Sequence, residues 1–227
     1  INSLATLAAI IAQDDAKLQL SGSPATEKIF RDLAFKPWQY FSLSAAGHER
    51  ESFQVIALPG ADLKNVEVSA SDLKASDGTV INSSNIEINP VGYIELEESF
   101  VYNSSRPGYW PDILVEKQKL DLQDRLQPYW VTVYVPPNQK AGLYKGEIVF
   151  TADGGVKESY AYELLVHDFS LPVKGKLLTF FDWRINHPDP KIRRKCYDIM
   201  LDHRLNPTSM YTNGKAPANI NEYEFVP

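Results

Sequence analysis

Two different hydrophobic rhythms meet near Pro172 of this chain. Between Lys28 and Pro172, short runs rich in Val, Ile, Tyr and Phe alternate apolar with polar residues and are separated by Gly, Pro, Asn and Asp. This texture is typical of antiparallel strands that bury one face. The segment Lys176–Trp183 is instead almost continuously apolar, as expected of a parallel strand buried on both faces. The sequence therefore predicts a mainly β protein, an antiparallel β-sandwich followed by the start of an α/β fold.

Strand follows strand in the predicted sandwich, with turn residues between them. Along the run Tyr129–Val135, the residues Val131, Val133 and Val135 alternate with larger or polar side chains, so we expect the valines to face the core. The residues 153–155, Asp-Gly-Gly, predict a hairpin turn. The clearest predicted strands are Glu51–Leu58, Val66–Ala70, Ile86–Leu96, Tyr129–Val135, Gly146–Thr151 and Ser159–Val166.

The first residues have a different pattern. Apolar residues recur at helical spacing from Leu4 to Leu20, and Gly22 and Pro24 end the pattern. We therefore expect a leading helix within residues 1–22, a sandwich domain over 23–172 and an incomplete α/β barrel over 173–227.

Beyond the apolar run, the sequence predicts one helix and a second strand. Asp189 can cap the helix with Pro190 at its first position. An apolar stripe of Ile192, Cys196, Ile199 and Met200 follows, and Arg204, Asn206 and Pro207 end the helix. With a strand at Thr208–Tyr211, this gives the first strand-helix-strand unit of a (β/α)8 barrel, which needs further elements to cover it.

Composition excludes several classes of function. The formal net charge is -6, and no Lys/Arg cluster is dense enough to neutralise a run of phosphates, so we expect no nucleic-acid partner. The one cysteine, Cys196, excludes an intrachain disulfide, and the four histidines have no metal-ligand spacing, so we expect neither metal nor cofactor. No apolar run reaches the length of a membrane span.

Five stretches, in order along the sandwich, carry a resemblance to a known family. They are HERESFQVIALPG at 48–60, NPVGYIE at 89–95, PGYWPDIL at 107–114, YWVTVYVPPNQKAGLYKGEIVF at 129–150 and LLVHDFSLP at 164–172. Together they resemble glycoside hydrolase family 123, whose members carry an N-terminal sandwich before a catalytic barrel. The stretch KCYDIMLDHRLNPTSMY at 195–211 resembles the first barrel helix and second strand of the less characterised relatives.

The resemblance implies an enzyme that cleaves β-linked N-acetylgalactosamine through attack by the substrate's own acetamido group. One carboxylate orients the acetamide while its neighbour protonates the leaving oxygen. In the family this pair is an adjacent Asp-Glu on a later barrel strand, and the present sequence contains no Asp-Glu dipeptide. We therefore expect a non-catalytic N-terminal portion of a longer glycosidase, with a glycan substrate and, from the resemblance alone, a bacterial secreted, periplasmic or cell-surface location.

Candidate substrate contacts follow the first predicted barrel strand. Asp182, Trp183, Arg184 and His187 lie at its carboxyl end, and Tyr211 ends the second strand on the same face, where barrel enzymes place their sites. Trp183 can stack on a sugar ring. In the alternative interpretation, Trp183 plugs the joint between sandwich and barrel, and Asp182 pairs with Arg184 or a loop amide.

Other features of the sandwich have structural and functional interpretations. The aromatics Tyr109, Trp110, Tyr129 and Trp130 have the character of an exposed sugar-stacking platform. In the structural interpretation, Gly108 and Pro111 predict a turn whose Tyr109 and Trp110 pack against a neighbouring loop or the barrel. Glu49 and Glu51 share one strand face, yet nothing around them in sequence indicates desolvation, and a turn or interdomain hydrogen bond explains them. The alternative to a glycosidase portion is a carbohydrate-binding or purely structural sandwich module.

Overall fold

The structure is a computed structural model that describes residues 17–36, 40–97, 107–116, 119–175, 179, 181–182 and 187–208. The chain divides into two compact units, Ile1–Ser170 and Leu171–Pro227.

The described part of the first unit is built from strands. In chain order they are β1 (Leu18–Pro24), β2 (Phe41–Gly47), β3 (Glu49–Pro59), β4 (Leu63–Ala70), β5 (Leu73–Ala75), β6 (Val80–Ile81), β7 (Ile86–Leu96), β8 (Gly108–Leu114), β9 (Lys119–Leu122), β10 (Gln127–Val135), β11 (Gly142–Ala152) and β12 (Val156–Ser170). Two single 3-10 turns, Ser83–Asn85 and Asp153–Gly155, precede β7 and β12. The second of these is the predicted hairpin turn, with Gly154 at φ 75°.

These strands form two sheets. The first has the order β1-β3-β10-β7-β8 and is antiparallel throughout. The second has the order β2-β12-β11-β4-β9, with β5 and β6 beside β11. Its pairs are antiparallel except β2 with β12, which run parallel. All six strands predicted from alternation are present, most of them longer than predicted.

One hydrophobic core receives side chains from both sheets, which makes the first unit a β-sandwich. Val131, Val133 and Val135 of β10 are fully buried, as predicted from their alternation. Phe53 of β3 lies at the centre, with its ring 4.9 Å from that of Tyr162 and 5.3 Å from that of Phe41, both on the second sheet. Burial of such aromatic pairs is a large part of what holds two sheets together.

The end of the predicted leading helix is wrong. Leu18–Pro24 forms β1, which pairs with β3 from Leu18 opposite Pro59 to Pro24 opposite Phe53. Leu18 and Leu20 alternate as strand residues and both are buried in the core, so pairing with β3 overrides the helical spacing. The rest of that prediction, residues 1–16, lies outside the described residues.

The turn predicted between Gly108 and Pro111 is also wrong. These residues belong to β8, which pairs with β7 at Tyr93 opposite Pro111 and Glu95 opposite Tyr109. Proline is tolerated there because β8 ends the order of described strands in its sheet, and an edge strand needs fewer ladder hydrogen bonds.

The second unit holds β13 (Phe181–Asp182), the helix α1 (Pro190–Asp202) and β14 (Pro207–Thr208). The two strands pair in parallel, Phe181 with Pro207 and Asp182 with Thr208. Asp189 caps α1 as predicted, because its side chain accepts a hydrogen bond from the Lys191 amide at 2.8 Å. The described part of this unit is a strand-helix-strand piece and does not amount to a barrel.

The apolar stripe predicted for α1 is only partly buried. Met200 and Leu201 are buried, whereas Ile192 is 42% and Ile199 is 48% exposed. A helix with two exposed isoleucines has an apolar flank that nothing among the described residues of its unit covers. Over the described ranges, no helix is long and apolar enough to cross a membrane.

Candidate functional site

The described residues give a side-chain environment for one of the five predicted substrate contacts. Asp182 is placed by its backbone at the carboxyl end of β13, opposite Thr208. Trp183, Arg184 and Tyr211 lie outside the described residues. Whether these side chains come together therefore stays a prediction.

His187, the fifth predicted contact, takes part in the start of α1. Its Nδ1 accepts a hydrogen bond from the backbone amide of Asp189 at 3.1 Å, and its carbonyl accepts one from the Arg193 guanidinium. The ring is thereby held at the amino end of the helix. These bonds give His187 a structural role that its position in sequence did not reveal.

Asn206 holds the two strands of the second unit in register. Its Oδ1 accepts hydrogen bonds from the Thr179 amide at 3.0 Å and from the Thr179 hydroxyl at 3.2 Å. The backbone amide of Asn206 donates to Thr179 Oγ1 at 2.9 Å. The sequence pattern predicts for Asn206 only a place at the end of the helix. The signal that was available is an Asn-Pro step before a strand, which favours such local side-chain bonds.

Glu49 and Glu51 prove to have different environments. Glu49 Oε2 accepts a hydrogen bond from the Ala46 amide at 2.7 Å, across the turn at His48, whose φ is 60°. Burial, followed by the charge of Glu49, raises the pKa of Glu51 above its usual value. The expectation of a turn hydrogen bond is confirmed for Glu49, and the expectation that nothing desolvates the pair is wrong for Glu51.

No group of three or more His, Cys, Asp or Glu side chains within the described ranges is arranged to hold a metal ion. Cys196 is half-buried on α1.

A polar row crosses the outer face of the first sheet. Register places Ser23 of β1 opposite Gln54 of β3, Gln54 opposite Trp130 of β10, and Trp130 opposite Asn89 of β7. Because alternate residues share a face, Phe53 and Val131 point into the core while this row points away from it. Polar residues are common on the outer face of a sheet. Trp130 is unusual among them because it adds a large apolar ring to this face.

Residues 25–36, hereafter the covering segment, lie over part of this face. Gln54, itself only 2% exposed, donates from Nε2 to the carbonyl of Pro24 at 2.9 Å and to that of Glu27 at 2.8 Å. The Tyr93 hydroxyl donates to the carbonyl of Ile29 at 2.7 Å. Burial raises the pKa of Tyr93 to about 12, so this phenol remains a donor at neutral pH. Two side chains of the sheet thus fix the backbone of the covering segment.

The aromatics of β8 meet the covering segment as well. The ring of Trp110 makes an edge contact with Phe30 at 5.1 Å, and the Lys28 ammonium lies 5.2 Å from the Trp110 ring centroid. The Arg31 guanidinium lies 4.1 Å from the Tyr93 ring and 6.0 Å from that of Tyr109. Trp110 therefore packs against a neighbouring loop, as its structural interpretation predicted, and Tyr109 stays about half exposed.

Two hollows flank the beginning of the covering segment. One, of about 410 Å³, is mainly apolar and lies beside Ile29, Phe35 and Ile56, which form a small second cluster with Leu126. The other, of about 330 Å³, is a groove lined by Trp130 and Gln54 together with Glu27 of the covering segment and Asp112 of β8. The groove joins an aromatic ring to hydrogen-bonding groups, the combination typical of small-molecule sites.

Comparison with known proteins agrees with this architecture. A family 123 glycoside hydrolase from Clostridium perfringens, whose structure was analysed for glycolipid glycan hydrolysis, superposes with a TM-score of 0.60 at 21% identity, over 69% of this chain. The chain spans 28% of the length of that enzyme, and the likeness shows a shared fold.

Two further solved structures match with much lower similarity. A PapD-like domain of a human protein matches with a TM-score of 0.33 at 9% identity, over 69% of this chain and 88% of its own. The major subunit of Myf fimbriae from Yersinia enterocolitica matches with a TM-score of 0.33 at 12% identity, over 66% and 98%. No curated protein matches the sequence.

A family model matches the sandwich of this chain. The family described as the glycoside hydrolase 123 N-terminal domain matches residues 38–152, which run from just before β2 to the end of β11 and make up half of the chain. This range contains four of the five sequence stretches on which the resemblance rested. The chain belongs to the glycoside hydrolase 123 N-terminal domain family, and it carries a glycoside hydrolase-associated β-sandwich.

Proposed function

We propose that this chain is the N-terminal portion of a glycoside hydrolase that acts on β-linked N-acetylhexosamine glycans, N-acetylgalactosamine in particular, and that the portion is itself non-catalytic. The observation that carries the proposal is the parallel pairing of β13 with β14 across α1, directly after a sandwich that belongs to a glycosidase-associated family. A parallel strand pair joined by a helix is the repeating unit of the α/β barrel.

The carboxylates of the sandwich support the non-catalytic part of the proposal. A substrate-assisted glycosidase needs one carboxylate free to orient the acetamide and a neighbour free to protonate the leaving oxygen. Glu49 and Glu51 are a close pair on one strand face, but Glu49 is engaged with the Ala46 amide. The full sequence also contains no adjacent Asp-Glu. Catalysis is therefore assigned to a barrel in a longer protein.

The proposal gives the predicted contacts a place. In this proposal Asp182, Trp183, Arg184 and His187 follow the first barrel strand and Tyr211 ends the second, on the side where barrels bind substrates. In the longer protein, Trp183 stacks on a sugar ring and the polar side chains contact hydroxyl groups. On the family resemblance alone, we place the whole protein outside the bacterial cytoplasm, secreted or at the cell surface, where glycan substrates occur.

The chain alone provides the first test. Nitrophenyl N-acetyl-β-D-galactosaminide is incubated with the purified, folded chain, and nitrophenol release is compared with a blank and with an active β-N-acetylgalactosaminidase. We expect release at the blank rate. Turnover above the blank that survives repurification would overturn the non-catalytic assignment.

A further inference from the structure

We propose that the groove over Trp130 on the outer face of the first sheet is a binding site for one neutral pyranose residue of a glycan. The site lies in the sandwich and is separate from the predicted contacts of the second unit. It does not depend on the proposed hydrolase, because binding to the chain is measured without any turnover.

The floor of the groove presents an aromatic ring with its own polar atom already satisfied. Trp130 is half-buried, and its indole N-H donates to Thr132 Oγ1 at 3.2 Å. Thr132 Oγ1 is in turn hydrogen-bonded to Ser52 Oγ at 3.0 Å. With the N-H engaged in this chain of bonds, the ring contributes an apolar surface. The C-H face of a pyranose is apolar and packs on such a ring.

The walls of the groove are fixed in place. One wall is the start of the covering segment, where Gln54 bonds the carbonyls of Pro24 and Glu27. The opposite wall is β8 at Pro111 and Asp112, which is paired to β7. A site whose walls are already held by hydrogen bonds binds with less ordering cost than a mobile one.

The polar groups of the walls match hydroxyl groups. Glu27 Oε2 accepts from Ser23 Oγ at 3.0 Å, which orients this exposed carboxylate at the groove. Asp112 is exposed on the other side. These two carboxylates can accept hydrogen bonds from sugar hydroxyls. With two negative charges against the one positive charge of Lys28, the lining disfavours phosphates and acidic sugars.

Size and charge distinguish a sugar from the other ligands that an aromatic ring can take. A volume of about 330 Å³ suits a single ring with the chain continuing into solvent. Cation recognition uses a cage of several aromatic rings. Among the described residues, Trp130 is the one aromatic side chain that lines this groove, and the cationic Lys28 lines it as well. A neutral pyranose satisfies the ring and both carboxylates together.

The test is a titration followed by NMR on the intact chain labelled with nitrogen-15. The probes are N-acetyl-D-galactosamine, N-acetyl-D-glucosamine and glucose, with tetramethylammonium as the cationic comparison. Single sugars are expected to bind with Kd in the millimolar range, so concentrations reach about 50 mM. We expect the Trp130 indole cross-peak to shift with at least one sugar.

Variants locate the site. Asp112→Asn should weaken binding by about threefold to tenfold, and Trp130→Ala by about tenfold or more. Tyr134→Ala is the matched control, because Tyr134 lies on the same face of the same strand and does not line the groove, and binding should be unchanged. If Trp130→Ala fails to fold, Asp112→Asn and Glu27→Gln carry the test.

Three results would overturn the proposal. The first is no shift with any sugar at the highest concentration. The second is sugar binding of equal strength in Trp130→Ala or in Asp112→Asn, which would place the site elsewhere. The third is tighter binding of tetramethylammonium than of every sugar, which would make the groove a cation site. Each result leaves the hydrolase proposal untouched, since that is tested by turnover.

Discussion

The side-chain amide of Gln54 donates to the backbone carbonyl of Glu27 at 2.8 Å, although the two residues are 27 positions apart. A second bond from the same nitrogen to the Pro24 carbonyl completes the attachment of the covering segment to the sheet. Gln54 is almost fully buried, so its side-chain amide has these two carbonyls in place of water. This one side chain therefore links the outer face of the sandwich to the wall of the Trp130 groove.

Gln54→Ala should lower the free energy of unfolding by about 1–2 kcal/mol, because two hydrogen bonds from a buried side chain are lost. Urea unfolding followed by fluorescence measures the change. Proteolysis should also become faster within residues 25–36. Glu87→Gln is the control on an exposed residue of the same sheet, and it should change stability by less than about 0.5 kcal/mol. Equal stability of Gln54→Ala and wild type would show that the segment is held by other contacts.

Phe53→Ala should be far more damaging. Phe53 is fully buried between Phe41 and Tyr162, and removing its ring leaves a cavity between the two sheets. The expected loss is about 3–5 kcal/mol. Leu143→Ala, on a residue that is 43% exposed, should cost much less in the same denaturation experiment. If both variants lost similar stability, Phe53 would not be at the centre of the core.

Glu51 should impose a pH dependence on stability. Its raised pKa means that the folded state binds this proton more tightly than the unfolded state does. The contribution of Glu51 to the free energy of unfolding is therefore most favourable below its ordinary pKa of 4.5. It is lost as pH rises through the raised pKa. Glu51→Gln should therefore stabilise the protein at neutral pH.

Urea unfolding of Glu51→Gln and wild type at a series of pH values measures this effect. The difference in unfolding free energy should shrink as pH falls toward 4.5 and below. Glu95→Gln, which removes the same charge from an exposed position, is the control. A Glu51→Gln variant that is less stable than wild type at neutral pH would mean that the carboxylate makes a favourable bond there.

Asp189→Ala should destabilise α1 locally. The cap bond to the Lys191 amide is lost, and N-cap removal typically costs about 1 kcal/mol. Hydrogen exchange of the helix amides should become about fivefold faster. Lys195→Ala, an exposed position within the helix, should leave those rates nearly unchanged. Unchanged exchange in Asp189→Ala would indicate that His187 and Arg193 hold the helix start without the cap.

Alternation identified the strands whose two faces differ most. β10 was predictable because Val131, Val133 and Val135 are fully buried while Trp130 and Thr132 are only partly so. The helix start at Asp189 was predictable for a similar reason, since a cap acts within three residues.

Elements that depend on distant partners were not predictable from local pattern. Leu18 and Leu20 fit a helix and a strand equally well, and β3 decides between them. Gly108 and Pro111 predict a turn from local sequence, yet pairing with β7 places them in a strand. Ile192 and Ile199 belong to the predicted apolar stripe of α1, yet both are exposed. Helical spacing predicts that a helix has an apolar face, but it does not predict which element covers that face.

The same limit applies to the site. Gln54 reads as an ordinary polar strand residue, and its role appears only when the carbonyls of Pro24 and Glu27 are brought over it. The contacts around Asp182 were predicted from the end of a strand. In the structure, Asp182 is the last residue of β13 and pairs in parallel with Thr208. How the side chains of these contacts are arranged stays a prediction.

The most direct measurement of the central claim is glycosidase activity of this chain joined to the protein sequence that follows it in its gene. We predict that the longer protein releases nitrophenol from a β-linked N-acetylhexosaminide, fastest with N-acetylgalactosamine, while the chain alone does not. A folded longer protein that hydrolyses no N-acetylhexosaminide would contradict the account.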